Sequence, residues 1–163
     1  MGTFLFRDII FGPVQSRRLG VSLGVNLLPT DSKLCNFDCI YCECGWSVGG
    51  GKPRFNKRDD VKRLLEEKLR EMAASGTPPD VITFAGNGEP TMHPHFEEII
   101  GDTLKLRDEL CPSAKVSVLS NGTMIDRESV RRALLRVDNN ILKLDSAFDD
   151  TVQLIDKPKP GYT

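Results

Sequence analysis

The sequence predicts an α/β chain, a parallel sheet whose strands are joined by helical crossovers. Short runs of β-branched and apolar residues alternate with longer amphipathic segments, the order such a sheet requires. Each stretch of suggestive chemistry directly follows one of the short runs, on the carboxyl edge where these sheets collect ligands. A length of 163 residues suits one domain and suffices for a sizeable core.

The elements follow in order. "GVSLGVNLL" (Gly20–Leu28), apolar and broken by small residues, reads as the first buried strand. "RDDVKRLLEEKLREMAA" sets Val61, Leu64, Leu65, Leu69 and Met72 at helical spacing with charges on the other face, and Gly76 and Pro78-Pro79 end it. "DVITFAG" is the second strand. "HFEEIIGDTLKLRDEL" carries Phe96, Ile99, Ile100, Leu104 and Leu106 in helical rhythm, weakened at Gly101 and stopped by Pro112. "KVSVLS" is the third strand, "DRESVRRALLRV" the third helix with Asp126 as N-cap, and "ILKLD" the fourth strand. "FDDTVQLIDK" begins a fourth helix before Pro158 and Pro160. "GWSVGGGKP" (Gly45–Pro53) reads as a flexible loop.

Composition narrows the partners. Hydrophobic residues at 39% and charged residues at 28% describe an ordinary soluble globular chain. A formal net charge of -1 gives no strong field toward nucleic acid or acidic lipid, so RNA as a partner is unsupported, though a local patch would suffice for it. Arg7 and Asp8 interrupt the first apolar run, unlike a secretion signal, and no window approaches a membrane span. The expected location is cytoplasmic and reducing, where clustered thiols bind metal or do redox work.

Such a cluster exists. "CNFDCIYCEC" holds four of the five cysteines, Cys35, Cys39, Cys42 and Cys44, within ten residues. A tetrahedral zinc site usually draws on two separated pairs, and one short loop closing on one small ion is strained. A cubane iron–sulfur cluster presents well-separated irons, so Cys35, Cys39 and Cys42 reach three of them without crowding. Cys44 is then either a spare thiol, leaving one iron open for catalysis, or a fourth ligand that makes an electron carrier.

Cys-x3-Cys-x2-Cys with Tyr41 before the last cysteine, together with "GNGEP" after the next strand, resembles the radical S-adenosylmethionine (SAM) superfamily. "FGPVQSRRLGVSLGVNLLP" further resembles its subgroup related to wyosine-base formation, and the resemblance runs from Phe11 to Gly161. It implies a parallel-stranded partial (βα) barrel, with about four βα units in residues 1–163 as the N-terminal portion of a radical SAM core. The fourth strand would then present an edge that soluble proteins usually cover.

The resemblance also implies the cofactors. Cys35, Cys39 and Cys42 would hold a [4Fe-4S] cluster whose open iron takes the amino and carboxylate groups of SAM. One electron, from a donor such as flavodoxin or ferredoxin, would cleave SAM and start radical chemistry, a tRNA base being one substrate class. Tyr41 would lie near the adenine, through its backbone. "GNGEP" departs from the family's "GGEP" by Asn87 between the glycines. Gly86 and Gly88 allow close backbone approach, Pro90 fixes the turn, and Glu89 is an acid suited to the methionyl amine. Ser120 and Asn121 would contact the ribose or carboxylate, and Asp145 a ribose hydroxyl or substrate. Both also read as ordinary turn or cap residues.

Lys143, between Leu142 and Leu144, would face an interior where its charge needs a partner. His93 and His95 read as a polar helix start, and Cys111 as a small buried residue. Arg17, Arg18, Lys52, Arg54, Lys57 and Arg58 could form a positive rim, but Asp59 and Asp60 favour a plain solvated loop.

Overall fold

The computed structural model describes residues 4–47 and 53–162. One sheet has the order β1 (Ile10–Ser16), β2 (Gly20–Val25), β3 (Val81–Phe84), β4 (Lys115–Ser120) and β5 (Asn139–Leu142). β2 to β5 pair in parallel, and β1 runs antiparallel to β2. Helices α1 (Arg58–Ala74), α2 (Phe96–Leu110), α3 (Glu128–Leu134) and α4 (Asp149–Ile155) follow the parallel strands in turn. The α/β class and the four βα units are as the sequence predicts. Lys52 and most of the glycine-rich loop lie outside the described residues.

The structure departs from the sequence reading at four points. β1 has no counterpart in the sequence reading because most of its side chains are exposed, and a bulge between Phe11 and Val14 breaks its alternation. The first predicted strand ends early, at Val25, where the Asn26 side chain turns back to accept the Leu28 N–H at 3.1 Å. The fourth lies two residues upstream of "ILKLD", so Asp145 sits beyond it rather than at its end. Nor does Asp126 cap α3: the helix starts one residue later, so Arg127 occupies that position, and its guanidinium has no acceptor with which to make a side-chain cap bond.

Register explains where the core sits. Leu23, Ile82 and Val116 are neighbours across β2, β3 and β4, as are Val25, Phe84 and Val118, and all six belong to the buried core. The α1 stripe Val61, Leu65, Leu69 and Met72 and the α2 residues Phe96, Ile99 and Ile100 close over that face. Arg58 grips Asp102 through two bonds at 2.7 and 3.0 Å, joining the two helices. The opposite face is mixed. Thr83, Ser117 and Asn139 align across it, while Leu119 and Ile141, one step toward the carboxyl edge, line a cavity.

Phe11 lies over Gly24, where a Cβ would come within 2.1 Å of its ring. Gly24→Ala is therefore expected to cost about 1–3 kcal/mol in urea unfolding, since the ring must move off the sheet.

His93 is buried, with one ring nitrogen 2.8 Å from Asn56 O and the other accepting the His95 N–H at 3.0 Å. Burial holds its pKa below the ordinary 6.5. The unfolded chain takes up this proton at higher pH than the folded one, so the stability is full above that value and lost as pH falls below it. Lowering pH from about 7.5 to 5.5 should reduce the urea midpoint, and His93→Gln should flatten that slope.

Candidate functional site

The cysteine loop leaves the sheet after β2 and lies against the "GNGEP" turn that follows β3. The two are joined backbone to backbone. Leu34 N donates to Asn87 O at 2.8 Å, and Glu89 N donates to Leu34 O at 3.2 Å, around a bridge between Leu34 and Gly88. Gly88 has φ +139, and a Cβ there would stand 1.9 Å from Leu34 O. Only glycine permits this approach. Gly86, at φ +144, is likewise closed by Asn26 Oδ1 at 2.3 Å from a Cβ.

Glu89 joins a third loop to these two. Its buried carboxylate accepts from Thr91 N at 3.1 Å and Thr91 Oγ1 at 2.5 Å, from Ser120 Oγ at 2.8 Å and from Asn121 N at 2.7 Å. Asn121 Nδ2 continues to Asn36 Oδ1 at 2.7 Å, beside Cys35. Asn87 faces elsewhere: its side chain bonds Phe6 N and O, each at 2.9 Å, and Pro29 O at 2.7 Å. Asn87 and Pro90 are buried supports for the turn, whereas Gly86, Gly88, Glu89, Ser120 and Asn121 line a cavity of about 370 Å³.

Cys35, Cys39, Cys42 and Cys44 line that same cavity, all as free thiols, together with Tyr41, Lys33 and Lys143. Cys35 is buried, which pushes its pKa up to about 11. A hydrogen bond from Cys44, aided by the nearby Lys33 ammonium, draws Cys42 down to about 5, and the same contact raises Cys44. Among the described residues, no three Cys, His, Asp or Glu side chains converge as they would on one metal ion. Thiols spread around one cavity suit a larger cluster better than a tetrahedral ion.

A second clamp comes from the far end of the chain. Asp38 N and Ile40 N donate at 2.9 Å to Asp156 O and Ile155 O, and Lys159 N donates at 2.9 Å to Asn36 O. Buried Asp156 also receives Lys143 Nζ at 2.5 Å and Tyr41 OH at 3.4 Å. Tyr41 donates to Asp145 as well, and Lys143 stands 3.1 Å from that carboxylate. Lys143 thus has the partners its position demands, although Asp145 itself faces an adjoining cavity. Asp156, Lys33 and Asn36 escape sequence reasoning. The signal for Lys33 and Asn36 is their closeness to Cys35, but nothing local marks Asp156.

The remaining candidates resolve plainly. Arg54 pairs with Asp31 at the surface, as a solvated loop predicts, whereas Arg58 opens α1 and pairs with the buried Asp102 of α2; Cys111 packs in the core. Both ring nitrogens of His93 have protein partners. No helix among the described residues is long and apolar enough to cross a membrane.

Residues 31–162 match the Radical SAM superfamily, and the chain belongs to it. Its cofactors are those of the superfamily, a [4Fe-4S] cluster and SAM. A UPF0026 protein of Helicobacter pylori is 38% identical over 152 residues, covering 92% of this chain and 46% of that protein. A UPF0026 protein of Methanocaldococcus jannaschii is 34% identical over 152 residues, covering 92% and 44%. The structure of TYW1 with a lysine-pyruvate adduct bound shares the fold at a TM-score of 0.57 and 18% identity, covering 86% of this chain and 47% of that one. The chain spans about half the length of the curated relatives it matches.

Asp156→Ala leaves Lys143 and Tyr41 without their buried acceptor. It is expected to cost about 3 kcal/mol in chemical unfolding; a loss below about 0.5 kcal/mol would show the clamp to be idle.

Proposed function

We propose that this chain is the cofactor-binding part of a radical SAM enzyme, in which Cys35, Cys39 and Cys42 hold three irons and SAM takes the fourth. The observation that carries this reading is that the thiols of Cys-x3-Cys-x2-Cys share one cavity with Gly86, Gly88 and Glu89 of "GNGEP". When bound, the reduced cluster and SAM supply an electron-driven cleavage that starts radical chemistry.

The residues of the chain bind and orient. Gly86 and Gly88 offer main-chain carbonyls to the methionyl amine of SAM, and Glu89 adds the negative charge of a fixed carboxylate. Asn87 and Pro90 serve through the backbone they stiffen. Ser120 and Asn121 hold Glu89 against the cysteine loop and present polar atoms to the ribose or carboxylate. Because the Tyr41 hydroxyl is engaged by Asp145, Tyr41 meets the adenine through its main chain. Asp145 orients Tyr41 and faces the substrate side. Phe37, Leu119 and Ile141 make the cavity wall apolar, which excludes water from reactive species.

A tRNA base is the substrate class the sequence resemblance suggests, and flavodoxin or ferredoxin the donor. A reducing, cytoplasmic setting suits the free thiols. Cys44 lines the same cavity, so a cluster closed by four thiols is the competing reading.

Oxygen-free reconstitution should give about four irons per chain, and dithionite with SAM should release 5′-deoxyadenosine. Cys39→Ala should abolish that release. Retained SAM cleavage in this variant would sink the assignment, and a reduced-cluster EPR spectrum unmoved by SAM would favour the carrier.

A further inference from the structure

Lys33 is the most deeply buried cation at the site. Its side chain is 1% exposed, yet it lines the cavity that holds the cysteines. Its ammonium has two protein acceptors, Asp38 Oδ1 at 3.1 Å and Gly45 O at 2.9 Å, so its three N–H groups are not all spent on oxygen acceptors among the described residues. Asp38 is less buried, at 18% exposure, and also takes the Ser47 N–H at 2.8 Å. The pair is therefore lopsided: a dry ammonium on the thiol side, and a carboxylate shared with the loop and partly open to water. Burying an ammonium is costly unless the surrounding charges recover it. Cys35, Cys39, Cys42 and Glu89 make this cavity rich in negative or ionisable groups, whereas Lys143, its other lining cation, is matched by Asp145 and Asp156.

We propose that Lys33 is a potential-setting residue, whose buried charge favours the reduced state of a cluster held by Cys35, Cys39 and Cys42. The inference rests on the radical SAM reading above. Uptake of one electron, supplied in the test by dithionite, adds negative charge beside the ammonium and transfers no atom. A positive charge in a dry cavity stabilises that added electron with little screening. Charge and hydrogen bonding around iron–sulfur sulfurs set potentials in this way.

The competing account is a mechanical clamp, with Lys33 merely tying Asp38 to Gly45. Variants separate the two. Lys33→Gln keeps hydrogen-bond donors and removes the charge, whereas Lys33→Arg keeps the charge. Each is reconstituted without oxygen, assayed for iron, and poised with redox mediators while EPR reads the reduced-to-oxidised ratio. Lys33→Gln should lower that ratio about tenfold or more at a fixed potential, equal to about 59 mV for a one-electron couple. Lys33→Arg should stay within about threefold of the parent. Asp38→Asn removes the opposing charge and should raise the ratio about threefold, giving the same reading if Lys33→Gln loads poorly. Parent-like behaviour of Lys33→Gln, an equal fall in Lys33→Arg, or an unmoved Asp38→Asn ratio would overturn the inference while leaving the enzyme reading intact. A parent chain that binds no iron would overturn both.

Discussion

The contact between Leu34 and Gly88 is the constraint on which the site depends. A side-chain carbon at position 88 would occupy the space of a carbonyl oxygen, so the cysteine loop and the "GNGEP" turn come together only because that position is glycine. Their main chains then exchange two hydrogen bonds, which places Cys35 one residue from the seam and Glu89 one residue from it on the other side. Thiols and carboxylate thereby face one space although they follow different strands. The parallel sheet brings the strand ends near, and the seam fixes the distance between their loops.

From that seam, order spreads through polar groups rather than apolar packing. Glu89 gathers hydrogen bonds from the turn after β3 and from the end of β4, and Asn121 passes the connection to Asn36. Such a network is stable only if its members are satisfied, because an unpaired buried donor costs as much as several surface bonds return. Asn26 Nδ2 is the buried side-chain atom without a partner among the described residues, and it lies on the residue that packs against Gly86.

The helices and parallel strands were legible because their signal is local. The α1 stripe and its terminators define that helix from Arg58 to Ala74, as found. β1 was not legible: its order comes from pairing with β2, and its exposed residues carry no burial pattern. The ends of β5 were misplaced because Leu144 continues the apolar alternation after pairing has stopped, and it is 82% exposed. At the site, the cysteines and "GNGEP" stand out through spacing and rare residue types. Asp156 does not, being an ordinary acid at a helix end whose partners Tyr41 and Lys143 lie far away in sequence or on another element. Asn87 was legible as a departure but not in direction, since its side chain turns toward Phe6 and Pro29.

The clamp formed by Ile155, Asp156 and Lys159 has a bearing on biogenesis. Asp156 follows Tyr41 by 115 residues, so a nascent chain exposes its thiols well before the segment that braces them has been translated. During that interval the loop lacks three of its main-chain tethers and the buried acid beneath Tyr41. Metal delivered before residues 155–159 have emerged would meet an unbraced loop, which makes maturation after that segment has folded back the physically favoured order.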